Sequence, residues 1–244
     1  MKINRFEVTG IKCIEVAPEN PDADLALVIG LHGRGDWGES YLDIAPMISE
    51  TAYRYIFPTA PLALPGALFE WFRFDNGNLG QETAKARQIL FKLLANLAER
   101  YKTPASRTFL WGFSQGSMMT LDAGLRYRDG QGQRLAGLGA LSGFLVADSP
   151  FSQSNFMIPG RYFNQDQGDL KEVVAGAVAD QIPVFMGHGT YDPVVPVQAG
   201  RVSRDYLQAA GLKLEYYEFA GAHQLILPEI EALRDFIAKS LSKA

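Results

Sequence analysis

Residues 107–127 read RTFLWGFSQGSMMTLDAGLRY. The run from Arg107 to Phe113 is of strand length and reads as a strand. It ends in Gly112-Phe113-Ser114-Gln115-Gly116, the pattern G-x-S-x-G, and a helical stretch follows from Gln115 to about Tyr127. A strand that passes directly into a helix must turn sharply. Glycines at both ends of the turn remove side-chain bulk, and the turn lifts the serine oxygen clear of the sheet. The helix N-terminus then directs backbone N–H groups at the same spot, where they can hold a developing anion. The pattern also occurs in ordinary glycine-rich turns, so its meaning rests on what the rest of the chain supplies.

Apolar runs of strand length alternate with helical patterns on both sides of this segment. Ile3–Val8 and Ile11–Val16 flank Thr9-Gly10 and read as an antiparallel hairpin. Leu25–Leu31 (LALVIGL) is continuously apolar, as a strand buried on both faces requires. A shorter strand, Tyr53–Phe57, stops at Pro58. In Glu82–Tyr101, residues Ala86, Ile89, Leu90, Leu93, Leu94 and Leu97 fall on one helical face. Strands are predicted at Leu135–Leu141, Ile182–His188 and Leu212–Phe219. Helices are predicted at Val197–Ala210 and from Pro228 onward, proline being a favoured first-turn residue. Such alternation implies parallel strands joined by crossover helices. The expected fold is one α/β domain over residues 1–244, a doubly wound, mostly parallel sheet with an antiparallel N-terminal hairpin. Its ligand site should lie beyond the carboxyl ends of the strands.

Composition narrows the function classes. The 244 residues are 47% hydrophobic and 20% charged, with a net charge of −4. That excludes a disordered chain and argues against a nucleic-acid or anionic-membrane binder, which would carry a basic patch. A single cysteine, Cys13, excludes a disulfide scaffold and a Cys-rich zinc site. No stretch of about 18 apolar residues offers a membrane span. The N-terminus lacks the unbroken apolar core of a signal peptide. The expectation is a cytoplasmic protein.

A serine hydroxyl needs a base to take its proton. The chain has three histidines, His32, His188 and His223. In folds of this kind the chain order is Ser, acid, His. His223, after the last strand, satisfies it. His32 and His188 end earlier strands and read as supports for loops. The acid must lie between Ser114 and His223. Asp122, Asp129, Asp148, Asp166 and Asp169 lie on the following helix or in polar segments. Asp192, in His188-Gly189-Thr190-Tyr191-Asp192-Pro193, lies directly past a strand end, where Pro193 keeps it out of helical conformation. There it can orient an imidazole and stabilise the imidazolium.

The first buried strand ends in Leu31-His32-Gly33-Arg34-Gly35-Asp36-Trp37-Gly38. Gly33, Gly35 and Gly38 spell the G-x-G-x-x-G of dinucleotide sites, but the acidic residue about 20 positions on is missing. The better reading is a loop that gives one backbone N–H to a tetrahedral oxyanion, beside the N–H of Gln115.

The motifs LHGRGDWGES, WGFSQGSMMT, ALSGFL, HGTYDPVVP and GAHQL resemble, in order and spacing, the carboxylesterase/phospholipase family of α/β-hydrolases that includes acyl-protein thioesterases. The likeness runs from about Leu25 to the C-terminus. It implies Ser114 as nucleophile, Asp192 as acid, His223 as base, and Arg34 and Gln115 as backbone oxyanion donors. It places Trp71 near the acyl pocket. Trp71, Phe72 and Phe74 either wall that substrate-binding pocket or belong to the core. Two features depart from the family: an arginine at position 34, where an uncharged residue is usual, and the long span from Ser142 to His188. Within it, Phe151–Asp169 is polar, aromatic and turn-rich, so a lid or long loop is expected at 144–180.

The implied activity is a serine hydrolase, independent of metal and cofactor, that cleaves small-molecule carboxylic esters or thioesters through an acyl-enzyme. A homodimer is admissible. A non-catalytic ligand-binding protein of the same fold, or a peptidase or amidase, stays open at this stage.

Overall fold

The computed structural model describes residues 1–19, 24–74, 79–146 and 169–242. At its centre lies β3 (Ala26–Leu31), whose six residues are all buried. Alternate side chains serve opposite faces. Leu27, Ile29 and Leu31 join one core layer, and Val28 joins the other. The same alternation recurs in β4 (Tyr53–Pro58), where Ile56 opposes Tyr55 and Phe57, and in β7 (Thr108–Phe113), where Leu110 opposes Phe109 and Trp111. A sheet apolar on both faces needs helices on both.

The remaining strands are β1 (Lys2–Val8), β2 (Ile11–Ala17), β5 (Leu62–Leu64), β6 (Leu68–Glu70), β8 (Gly137–Leu141), β9 (Val184–Gly189) and β10 (Leu214–Phe219). Eight of the ten strands among the described residues form one sheet in the order β1-β2-β4-β3-β7-β8-β9-β10. β1 pairs antiparallel with β2, and β2 antiparallel with β4; every later pairing is parallel. The expected N-terminal hairpin and parallel sheet are therefore both present.

The helices are α1 (Ile44–Ile48), α2 (Leu79–Tyr101), α3 (Gln115–Gly124), α4 (Leu170–Ala179), α5 (Val197–Ala209) and α6 (Leu227–Leu241). Side chains of α2, α3, α4 and α5 fill one layer with Leu90, Leu93, Met118, Leu170 and Leu207. Those of α1 and α6 fill the other with Ala45, Ile48, Ile230 and Leu233. α3 is buried along its whole length, which fixes the turn that precedes it.

Two elements depart from the sequence reading. β5 and β6 form a separate small hairpin around Pro65-Gly66, with Gly66 at φ 82° and Ala67 at φ 59°. α4 occupies 170–179, inside the span expected to be lid or loop. Leu170, Val174 and Ala177, spaced i, i+4, i+7, seat it on the core. The lid expected over Phe151–Asp169 lies, up to residue 168, outside the described residues. Among the described residues, no helix is long and apolar enough to cross a membrane.

Candidate active site

Ser114 is the hinge between β7 and α3. Its backbone sits at φ 54°, ψ −118°, a conformation that L-residues seldom adopt. The flanking glycines explain how the chain reaches it. A Cβ at Gly112 would collide with the Gly116 carbonyl, and a Cβ at Gly116 with the Leu31 carbonyl at the end of β3. The serine N–H donates to the Leu141 carbonyl at 2.8 Å, which locks the turn to β8.

His223 follows β10. Its Nε2 lies 2.9 Å from Ser114 Oγ, and its Nδ1 lies 2.6 Å from Asp192 Oδ2. An ionised carboxylate only accepts, so Nδ1–H donates to Asp192 and Nε2 is left to accept the serine proton. The Phe113 ring packs against the imidazole with centroids 4.7 Å apart. The loops that carry the acid and the histidine are stitched together. Thr190 N–H donates to the Phe219 carbonyl at 2.8 Å, and Tyr191 N–H to the Gly221 carbonyl at 2.9 Å.

Asp192 is 7% exposed, and burial by itself would raise its carboxyl. Hydrogen bonds from His188, His223 and the Val195 and Val194 N–H groups outweigh it and hold the carboxyl well below the usual carboxylate range. The two backbone bonds to Oδ1 measure 2.8 Å each and leave Oδ2 for the imidazole. The group is an anion at neutral pH.

The other candidate acids are otherwise engaged. Asp122 pairs with Arg87 and Arg126, Asp169 pairs with Arg126, and Asp129 accepts from the N–H groups of Ala105, Gln131 and Gln133. Asp148 and Asp166 lie outside the described residues. His32 is fully buried and braces its loop. It lies 2.7 Å from the Gly33 carbonyl through Nδ1, and its Nε2 accepts the Ala60 N–H at 2.9 Å. Burial lowers its pKa, although the Gly33 bond and the Asp36 charge act the other way. His188 also supports a loop, with Nε2 2.7 Å from the Val195 carbonyl. The sequence did not reveal that this same nitrogen stands 3.5 Å from Asp192 Oδ2.

The loop after β3 reaches the serine. A Cβ at Gly33 would lie 3.3 Å from Ser114 Cβ. Among the described residues, neither the Arg34 nor the Gln115 backbone N–H has a hydrogen-bond acceptor. The G-x-G-x-x-G segment does not open a phosphate-binding helix. Gly35 N–H bonds the Phe69 carbonyl at 2.8 Å, Asp36 bridges Phe69, and only a single 3-10 turn (Gly38–Tyr41) follows. The segment is thereby tied to the β5–β6 hairpin.

Trp71 and Phe72, expected at a substrate pocket or in the core, are 2% and 0% exposed and belong to the core layer of α2 and α3. Neither presents an open wall to solvent. Trp71 Nε1 donates to the His32 carbonyl at 2.9 Å. The Gln115 side chain accepts from Trp71 N–H and donates to the Phe72 carbonyl, both at 2.7 Å. This amide clamp was invisible in the sequence, because G-x-S-x-G leaves the position after the serine open. Among the described residues, no three His, Cys, Asp or Glu side chains gather as metal ligands would.

Comparison with known proteins agrees with this architecture. The profile of the phospholipase/carboxylesterase family matches residues 12–175 and 169–241. Acyl-protein thioesterase 1 of Neurospora crassa is 28% identical over 238 residues, covering 89% of this chain and 88% of that protein. Acyl-protein thioesterase 1 of Schizosaccharomyces pombe is 32% identical over 202 residues, covering 77% and 78%. Among solved structures, acyl-protein thioesterase 2 of Zea mays superposes with a TM-score of 0.66 at 22% identity, over 94% of this chain and 98% of that one. A carboxylesterase from Mesorhizobium loti gives 0.71 at 12% identity, over 97% and 98%. With its sheet order, its strained serine turn and a family match along nearly its whole length, the chain belongs to the phospholipase/carboxylesterase family of α/β-hydrolases and is a hydrolase.

Proposed function

We propose that this hydrolase cleaves carboxylic esters or thioesters through an acyl-enzyme on Ser114, with His223 as base and Asp192 as its partner. The observation that carries the reading is the unbroken relay from Ser114 Oγ to His223 Nε2 (2.9 Å) and from Nδ1 to Asp192 (2.6 Å). Ser114 Oγ attacks the acyl carbonyl as its proton passes to Nε2. The carbonyl oxygen becomes an oxyanion, held by the N–H groups of Arg34 and Gln115. Collapse expels the alcohol or thiol, which takes the proton back from His223. Water then attacks the acyl-serine, again giving its proton to Nε2, and the acid leaves. Asp192 stays an anion throughout and stabilises the imidazolium.

The names of the relatives add thioesters to the esters implied by the family. The compartment we infer is the cytoplasm, a reading supported by the unpaired thiol of Cys13. The test is labelling by a fluorophosphonate probe alongside turnover of 4-nitrophenyl butyrate and a butyryl thioester. The wild type should label and turn over, and Ser114→Ala should do neither. Equal labelling of both proteins would overturn the assignment.

A further inference from the structure

Glu70 is a carboxylate only 2% exposed, at the end of β6, immediately before Trp71. Two arginines face it. Arg34 Nε donates to Oε2 at 2.8 Å, and Arg73 Nη1 stands 3.8 Å from Oε1. Their side chains are 51% and 40% exposed, so the carboxylate is inside and the cations are at the surface. Among the described residues, the Nη groups of Arg34 have no other partner, and neither has Arg73.

Each arginine is the chain neighbour of a residue that touches the serine turn. Arg34 follows Gly33, which stands against Ser114 Cβ. Arg73 follows Phe72, whose carbonyl is held by the side chain of Gln115, the residue next to the nucleophile. One cation would suffice to neutralise Glu70. Here two share it, and the trio carries one net positive charge. Asp36, on the same loop, directs Oδ1 to its own Trp37 N–H. A guanidinium held along its Nε edge keeps free donors in a planar fork, the geometry that matches a carboxylate.

Resting on the reading of Ser114 as nucleophile, we propose that Arg34 and Arg73, oriented by Glu70, recognise a carboxylate on the substrate. The single surplus charge suits a monoanion better than a phosphate dianion. The preferred substrate is therefore an ester or thioester with a free carboxylate near the scissile bond, as in a half-ester of a dicarboxylic acid. Glu70 is a positioning residue in this scheme.

The test compares kcat/KM for 4-nitrophenyl butyrate, its acyl-side analogue 4-nitrophenyl hemiglutarate, and the leaving-group analogue 4-butyryloxybenzoate. One carboxylate-bearing ester should exceed its neutral counterpart by roughly 10-fold or more, as expected for a hydrogen bond to a charged group. Which of the two does so locates the carboxylate on the acyl or the leaving side. Arg73→Gln should reduce that ratio most of the way to one. So should Arg34→Gln, which leaves Arg73 to neutralise the buried Glu70 and so removes the surplus charge without stranding the carboxylate. The preference should also shrink as salt rises from about 0.01 to 1 M, as the Debye length falls from about 30 to 3 Å. A wild type that hydrolyses the neutral ester with no preference for either anion overturns this inference and leaves the serine mechanism standing. A wild type inert to all three and unlabelled by the fluorophosphonate overturns the mechanism itself.

Discussion

Replacing Glu229 by glutamine should make the protein more stable at alkaline pH and change little in acid. Glu229 lies in the first turn of α6, is 0% exposed, and has no hydrogen-bond partner at either oxygen among the described residues. Oε1 presses on β9 at Gly187, where there is no room for even a Cβ. A helix N-terminus favours a carboxylate, but desolvation wins and pushes this carboxyl from 4.5 up to about 8. The folded state therefore keeps its proton over a range in which the unfolded chain has lost it. The sign follows. The contribution is fully present below pH 4.5, declines as pH rises toward 8, and is absent above that. At about 1.4 kcal/mol per pH unit, the whole decline amounts to about 5 kcal/mol, of which about 3 has accrued by pH 7. Urea unfolding of the wild type and Glu229→Gln at pH 5, 7 and 9 measures it, because every other titrating group cancels in the difference. The variant should gain on the wild type by several kcal/mol from pH 5 to 9. A difference that does not vary with pH would refute the reasoning.

Two further outcomes follow from the serine turn and its acid. Asp192→Asn should fold normally yet lose roughly 10⁴ in kcat, because an amide can present its N–H and fix the wrong imidazole tautomer; steady-state kinetics beside a melting curve checks it, and near-normal turnover would deny Asp192 its role. Gly116→Ala, with its new methyl driven into the Leu31 carbonyl, should cost upwards of about 3 kcal/mol and lower soluble yield; an unchanged Tm would mean that the β3–α3 contact is looser than described.

The fold was legible wherever a residue's environment imprinted a period. β3 reads as buried on both faces because all six of its residues are apolar or glycine, and α2 because its leucines recur along one face. The small hairpin leaves no periodic signature because β5 and β6 have only three residues each, too few for alternation to register; Pro65-Gly66 is the available signal. α4 is obscured in the sequence because it follows a long polar stretch and has Gly176 within it, although Leu170, Val174 and Ala177 carry the period. Around the site, chain order and strand ends point to a convergence of Ser114, Asp192 and His223, and the three side chains lie within hydrogen-bond distance in the order Ser-His-Asp. The Gln115 clamp, the approach of His188 to Asp192 and the Glu70–arginine cluster join segments tens of residues apart or depend on side-chain direction. No local spacing encodes such contacts. Trp71 and Phe72 show the converse: their residue types fit both pocket and core, and only burial separates the two.

The central claim is that Ser114 becomes acylated through His223. The most direct measurement is rapid mixing of enzyme with a slowly deacylated 4-nitrophenyl ester, followed by mass analysis of the quenched protein. The account predicts a burst of one equivalent of 4-nitrophenol, a mass increase of one acyl group located on the peptide that carries Ser114, and loss of both in Ser114→Ala and His223→Ala. Steady release of product with no burst, no adduct, and undiminished turnover in Ser114→Ala would contradict it.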